Sequence, residues 1–246
     1  MTIVTAVLNG AGTMENCLQS VADQSCDDIE HVVVDGGSTD GTVDLLRGWG
    51  DGRLRWISEP DDGLYEALNK GISLARGDVL GVLGSDDLYA DDHAVGRTVA
   101  ALERTGADSC YGDLVYVDPV NVGQVKRYWR ASPYRQGNFR RGWMPPHPTF
   151  FARRKLYERY GGFDTRFRIS ADYELMLRLL ERHQVSVCYV PRVQVKMRTG
   201  GVSNRDLRSL WNRTVEDYRA CLENGIAGGP HIVLLKKLRK IGQYLG

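Results

Sequence analysis

Val32-Val33-Val34-Asp35-Gly36-Gly37-Ser38-Thr39-Asp40-Gly41-Thr42 is the stretch that decides the fold class. Three consecutive β-branched residues read as a buried strand. The run ends on a carboxylate, passes two glycines that let backbone come close, and finishes on a Ser/Thr/Asp set able to start a helix. A turn before a helix accounts for Ser38, Thr39 and Asp40. It does not account for Asp35, whose place at a strand's C-terminal end suits a hydrogen bond to a base N–H or a ribose hydroxyl.

The same alternation continues on both sides. Strands are expected at Ile3–Leu8, His31–Val34, Arg53–Ser58, Val79–Leu83 and Ser109–Val117, with helices near Met14–Gln24, Gly41–Trp49, Leu64–Ala75 and Asp92–Arg104. This implies an α/β fold, a single mostly parallel twisted sheet flanked by helices, with ligands beyond the carboxyl ends of the strands. Leu64, Ala67, Leu68, Gly71, Ile72 and Ala75 form one buried helical stripe, and Glu66 and Lys70 an i, i+4 pair on another face.

After Val117 the alternation stops. A hairpin-like stretch, Val115–Trp129, precedes an irregular Ala131–Pro148. A strand Thr149–Ala152, a helix Arg154–Tyr160, a loop and a helix from Ala171 to Arg182 follow. Two strands, Val185–Val190 and Val193–Arg198, and two helices, Asn204–Glu223 and His231–Leu245, finish the chain. The expected organisation is one α/β domain over residues 1–200, followed by a C-terminal helical extension over residues 201–246.

Composition excludes several classes. With 246 residues, 42% hydrophobic and 26% charged, the chain is neither disordered nor collagen-like. Its 28 glycines, about 11% against an ordinary value of about 7%, suit loops that approach a ligand. The longest apolar runs fall far short of the roughly 18 residues that cross a bilayer. Acidic residues early in the chain, and no basic start before an apolar core, argue against a signal peptide. Residues 1–120 hold 7 Lys and Arg against 22 Asp and Glu, whereas residues 121–246 hold 25 against 9. The acidic half can bind phosphates through a divalent cation. The basic half suits anionic lipid, diphosphate or nucleic acid, or simply attracts the other half. Five cysteines without C-x-x-C or zinc spacing suggest reduced thiols in the cytoplasm.

Two further strand ends carry candidate chemistry. Gly10-Ala11-Gly12 after the first strand, with Asp35 after the second, imitates a dinucleotide-binding turn, but Glu15 stands where the third glycine belongs. In Leu83-Gly84-Ser85-Asp86-Asp87, adjacent carboxylates repel unless a cation joins them. Mg²⁺ and Mn²⁺ are commonly held by one or two carboxylates plus substrate phosphates. A solvated turn is the plain alternative.

Taken in order, Ser20-Val21 with Gln24, then Val34 to Thr42, then Asp62-Gly63-Leu64-Tyr65-Glu66-Ala67-Leu68-Asn69-Lys70-Gly71, then Ser85-Asp86-Asp87 resemble glycosyltransferase family 2 over residues 1–200. The resemblance extends to Pro146-His147-Pro148-Thr149-Phe150-Phe151, Phe163-Asp164 and Ser170-Ala171-Asp172-Tyr173-Glu174-Leu175, and is to the bacterial exopolysaccharide and glycolipid branch. It implies an A-type glycosyltransferase fold, a UDP-linked sugar donor, Mn²⁺ or Mg²⁺, and inversion at the anomeric carbon, with residues 1–200 as the nucleotide-sugar-binding and catalytic domain, 1–120 its donor-binding part and 121–200 its acceptor-side part. It implies that Asp35 contacts the base, Asp86 holds the metal and Asp172 is the catalytic base. It places Leu8, Asn9, Gly36, Asp62, Gly63, Asn69, Lys70, Ser85 and Asp87 around the nucleotide sugar, and His147, Trp143 and Tyr173 on the acceptor or diphosphate side. The chain departs from the family at Gly84, where the metal motif has its first acid, and at Ala171, where an acid usually precedes the aspartate.

Inverting transfer needs a base for the acceptor hydroxyl and positive charge on the leaving diphosphate, from the metal and Lys70. The first turn of a helix favours an ionised Asp172, though a carboxylate there also serves as plain helix support. Trp129, Trp143 and Phe150 could stack on a sugar, although aromatics more often pack in cores. The last helix carries Leu234, Leu235, Leu238, Ile241 and Leu245 as one apolar stripe with four cations between 236 and 240. Residues 231–245 therefore suit peripheral contact with the inner face of the cell membrane, packing on the domain, or a homodimer contact. The expected acceptor is a lipid-linked saccharide or glycolipid; nucleic acid is not expected, for want of a recognition motif. Two rivals stand: a non-catalytic nucleotide-sugar or carbohydrate-binding module on the same fold, and an NAD(P)-dependent oxidoreductase.

Overall fold

The computed structural model describes residues 1–200, 207–226 and 231–242. Its strands are β1 (Thr2–Val7), β2 (Glu30–Asp35), β3 (Leu54–Ser58), β4 (Val79–Val82), β5 (Leu88–Tyr89), β6 (Ser109–Val117), β7 (Val125–Trp129), β8 (Phe151–Arg153) and β9 (Val187–Arg198). Its helices are α1 (Ala11–Ala22), α2 (Thr42–Gly48), α3 (Leu64–Leu74), α4 (Ala94–Thr105), α5 (Arg154–Tyr160), α6 (Ala171–Leu177), α7 (Leu207–Glu223) and α8 (His231–Gly242). The expected residues 204–206 and 243–245 of the last two helices lie outside the described residues.

The strands form one sheet in the order β3-β2-β1-β4-β8-β6-β9-β5, with β7 added on β6. The first four are parallel, and all six residues of β1 are buried, as expected of a strand covered on both faces. Helix α3 lies against β1 so closely that a Cβ on Gly71 would come within 2.4 Å of Val4 Cγ1. Only glycine permits that approach. Beyond β4, strand β8 enters antiparallel, and of the remaining pairings only β6–β9 is parallel.

Two local differences have physical causes. The expected break between two strands at Pro191 and Arg192 is a bulge inside one strand, β9, where the register with β6 shifts after Gly112. Proline has no N–H for the ladder, so a bulge is where it fits. The helix expected to run to Arg182 passes at Arg178 into a π turn, closed by His183 N–H donating to Arg178 O at 3.0 Å. One core joins Ile3, Val33 and Leu80 to Phe151, Tyr173, Cys221 and Ile232, so the last two helices share it with the sheet.

Candidate functional site

From β1 the chain steps through β2 to β3 in one direction, then returns to lay β4 on the other side of β1. Open α/β sheets bind ligands at such a reversal, beyond the carboxyl ends of the strands. A hollow of about 710 Å³ opens there. Ala6 of β1, Val82 at the end of β4 and Leu83 and Gly84 just after it line it, together with Tyr65, Phe150, Phe163, Asp87, His147 and Asp172.

Asp35 ends β2 with no exposed surface. Its Oδ2 accepts from Gly37 N–H (3.1 Å), Ser38 N–H (3.0 Å) and Ser58 Oγ–H (2.7 Å). Burial pushes this carboxyl up, but the donors of Ser38, Ser58 and Gly37 outweigh it and hold it below the usual carboxylate range. Its Oδ1 is buried and has no partner among the described residues. Gly36 donates to Val7 O at 2.9 Å, tying this turn to the end of β1. Asn9, at a positive φ of 53°, accepts Thr39 N–H on its Oδ1 (2.9 Å), while the exposed Leu8 stands beside it.

The turn after β4 is built differently. A Cβ on Gly84 would lie 2.8 Å from Asp87 Oδ2 and 3.1 Å from Asp86 Oδ1, so two carboxylate oxygens converge on the space that glycine leaves open. Burial, and after it the neighbouring Asp86 charge, push Asp87 well above the carboxylate range against the opposing pull of Arg198. Arg198 N–H donates to Asp87 Oδ1 (3.2 Å), and its guanidinium reaches Asp86 O, Pro119 O and Asn16 Oδ1. Among the described residues no three His, Cys, Asp or Glu side chains gather as a metal cage. Two carboxylates completed by substrate phosphates nevertheless match the oxygen donors that Mg²⁺ and Mn²⁺ take. Ser85 lies beside Gly10, whose Cβ position is 3.8 Å from Ser85 Oγ.

Asp172 opens α6 on the opposite half of the sequence. His147 Nδ1 stands 3.1 Å from its Oδ2, and Tyr65 Oη 3.3 Å from its Oδ1. The Tyr65 hydroxyl also donates to Ile169 O (2.9 Å), and burial plus the Asp172 charge raise its pKa well above the ordinary phenol value. It therefore stays a donor. Glu216 of α7 braces the approach to Asp172: its carboxylate accepts the N–H groups of Arg168, Ile169 and Ser170 at 3.1, 2.8 and 2.9 Å.

Of the expected residues, Asp87, His147 and Asp172 line the hollow, whereas Leu8, Asn9, Asp35, Gly36, Ser85 and Asp86 are not part of its lining. Trp143 packs on Tyr111, Tyr134 and Phe139, and Tyr173 is buried with its hydroxyl 3.5 Å from Cys221 Sγ, so both sit in the core and away from the lining. Asn69 staples α3 to the loop before α6, its amide exchanging two 2.8 Å hydrogen bonds with the backbone of Phe163. Lys70 is compensated by Glu59 (3.0 Å) and Glu66 (3.4 Å). Asp62 and Gly63 are exposed, their N–H groups donating to Glu66 and Asp61. Sequence reasoning misses Tyr65, Arg198 and Glu216. Tyr65 falls inside the Asp62–Gly71 motif and is signalled by its place on the first turn of α3, whereas the other two act far along the chain from what they hold.

The profile of glycosyl transferase family 2 matches residues 2–161. The chain belongs to glycosyltransferase family 2. A PGL/p-HBAD biosynthesis glycosyltransferase of Mycobacterium bovis is 31% identical over 215 residues, covering 82% of this chain and 78% of that one. Two solved structures share the A-type glycosyltransferase fold. One is S. aureus TarS 1-349 in complex with UDP, with a TM-score of 0.67 at 14% identity over 96% of this chain and 69% of that 1–349 chain. The other is the mannosyltransferase PcManGT of Pyrobaculum calidifontis in complex with GDP-Man and Mn²⁺, with a TM-score of 0.66 at 20% identity over 96% of this chain and 68% of PcManGT. In this family 2 glycosyltransferase the dinucleotide alternative falls on the loop after β1. The N–H groups of Asn9, Gly10 and Ala11 are taken by Ser38, Thr42 and Asp40, so that loop offers no such donors to a pyrophosphate.

Proposed function

We propose that this glycosyltransferase moves a hexose, with inversion, from a UDP-linked donor to a lipid-linked saccharide or glycolipid. One observation carries the reading: Asp172, paired with His147, shares a single hollow with Gly84 and Asp87 of the turn after β4. The unpaired Oδ1 of Asp35 supports a nucleotide, since it is a buried acceptor waiting for a donor such as a base N–H. UDP bound to TarS supports that nucleotide, and the relative in PGL/p-HBAD biosynthesis supports the acceptor class.

In this scheme Asp172 takes the proton of the acceptor hydroxyl, while His147 and Tyr65 fix the carboxylate's orientation. Asp86, with Asp87 beside it, would hold Mn²⁺ or Mg²⁺, which when bound neutralises charge on the diphosphate. Asp35 and Asn9 grip the nucleoside side, and Ser85 lies between the two turns. The lipid-linked acceptor class places the work, in this scheme, at the inner face of the cell membrane.

A thermal-shift screen of UDP-, GDP- and dTDP-sugars with and without Mn²⁺ tests the donor. The expected result is stabilisation by a UDP-sugar that grows with Mn²⁺; no shift with any nucleotide sugar overturns the proposal. Gly84 and Ala171 favour one rival, a binding module without turnover. Product formation by the wild type that disappears in Asp172→Asn, with donor binding kept, excludes that rival.

A further inference from the structure

In α8 the buried residues are Ile232, Val233 and Lys236, while Leu234 (57% exposed) and Leu238 (51%) face solvent. Lys236 is held inside by Asp217 of α7, Nζ to Oδ2 2.8 Å, and lies over the Tyr173 ring, 3.5 Å from its centroid. Among the described side chains, the apolar stripe legible in the sequence, Leu234, Leu235 and Leu238, is therefore on the outer face of the helix. Helix α7 repeats the arrangement. Asp217, Ala220 and Cys221 are buried, whereas Trp211 (69% exposed), Val215 and Leu222 stand outside at i, i+4 and i+11, which is one stripe. Lys237 Nζ donates to Thr214 Oγ1 at 2.9 Å, so the two helices lie side by side. Of eleven large apolar side chains exposed among the described residues, seven belong to these two helices, far more than scattered surface residues would give.

Charge selects what covers this face. With Lys236 buried against Asp217, residues 227–246 still carry Lys237, Arg239 and Lys240 and no Asp or Glu. Two copies meeting face to face would bring these cations together, whereas an anionic surface draws them in. An exposed tryptophan beside leucines and lysines also matches the chemistry of the headgroup boundary. We infer that the paired outer face of α7 and α8, not the last helix alone, is a docking surface for an anionic lipid bilayer. The inference draws its purpose from the lipid-linked acceptor proposed above, but docking is measurable without donor or acceptor. Glu216, on the same α7, ties the docked helix to the loop that enters Asp172.

The test is flotation of the full chain with phosphatidylcholine vesicles, with and without phosphatidylglycerol, in the absence of nucleotide. The wild type is expected to float only with phosphatidylglycerol, its tryptophan emission shifting to the blue, and Trp211→Tyr to lose that shift. Leu234→Ser with Leu238→Ser, and separately Lys237→Glu, are expected to weaken binding about ten-fold or more. These positions are exposed, and an unchanged thermal response to UDP confirms that the variants are folded. A wild type that stays unbound, variants that bind equally well, or a dimer that the leucine variants dissociate would each overturn the inference. Failure of donor binding with vesicle binding intact would overturn the proposed function and leave the docking surface standing.

Discussion

Asp35, at the end of β2, and Asp172, in the first turn of α6, are carboxylates held in opposite ways. Asp35 takes its donors from Gly37, Ser38 and Ser58, all within 23 residues, and is fully buried. Asp172 meets Tyr65, 107 residues away, and His147, with its side chain still 19% exposed. The first arrangement fixes a charged acceptor before any ligand arrives. The second leaves a carboxylate that is partly open to solvent. The surroundings of Asp35 are thus set by residues near it in the chain, and those of Asp172 by side chains that meet only when the fold is complete.

The largest effect should come from the second arrangement. Asp172→Asn is expected to lower kcat by about 10²–10⁴-fold and to leave the donor KM unchanged. Steady-state kinetics would break the comparison if the donor KM moved instead. Asp86→Asn should remove the Mn²⁺-dependent stabilisation, about 2.7 kcal/mol for the wild type at a metal concentration 100-fold above Kd. Calorimetric melts with and without metal measure it, and an undiminished shift in the variant would mean that Asp86 holds no cation. Asp35→Asn turns an amide toward the N–H groups of Gly37 and Ser38, and is expected to cost about 1–3 kcal/mol of stability. Because the folded Asp35 carboxyl sits below its ordinary range, its contribution is complete above about pH 4 and lost as pH falls toward that lower value. The stability gap between wild type and Asp35→Asn should therefore close in acid; a gap that widens there contradicts the hydrogen-bonded carboxylate.

This contrast also explains what could be read from the sequence. Strands β1, β2 and β4 and helix α3 were legible because burial on both sheet faces, or on one helix face, leaves a periodic trace. The turns carrying Asp35, Asp86 and Asp87 were legible because they follow such strands directly. Strand β5 is two residues long and leaves no period. Trp143 and Tyr173 misled because an aromatic that fills a core and one that stacks on a sugar look alike in sequence. The outward stripe of α8 was visible, but its direction depends on the buried Lys236–Asp217 pair, which no local pattern announces.

Glu216 carries a practical lesson for anyone trimming the chain to its family match at residue 161, or to the sheet at residue 200. A cut at residue 161 would remove Asp172 and α6 altogether, whereas a cut at residue 200 would strip three backbone donors of their acceptor beside Asp172 and let the start of α6 fray. A shortened protein of that kind should still recognise nucleotide and yet turn over poorly, the signature of an enzyme whose tail is a strut.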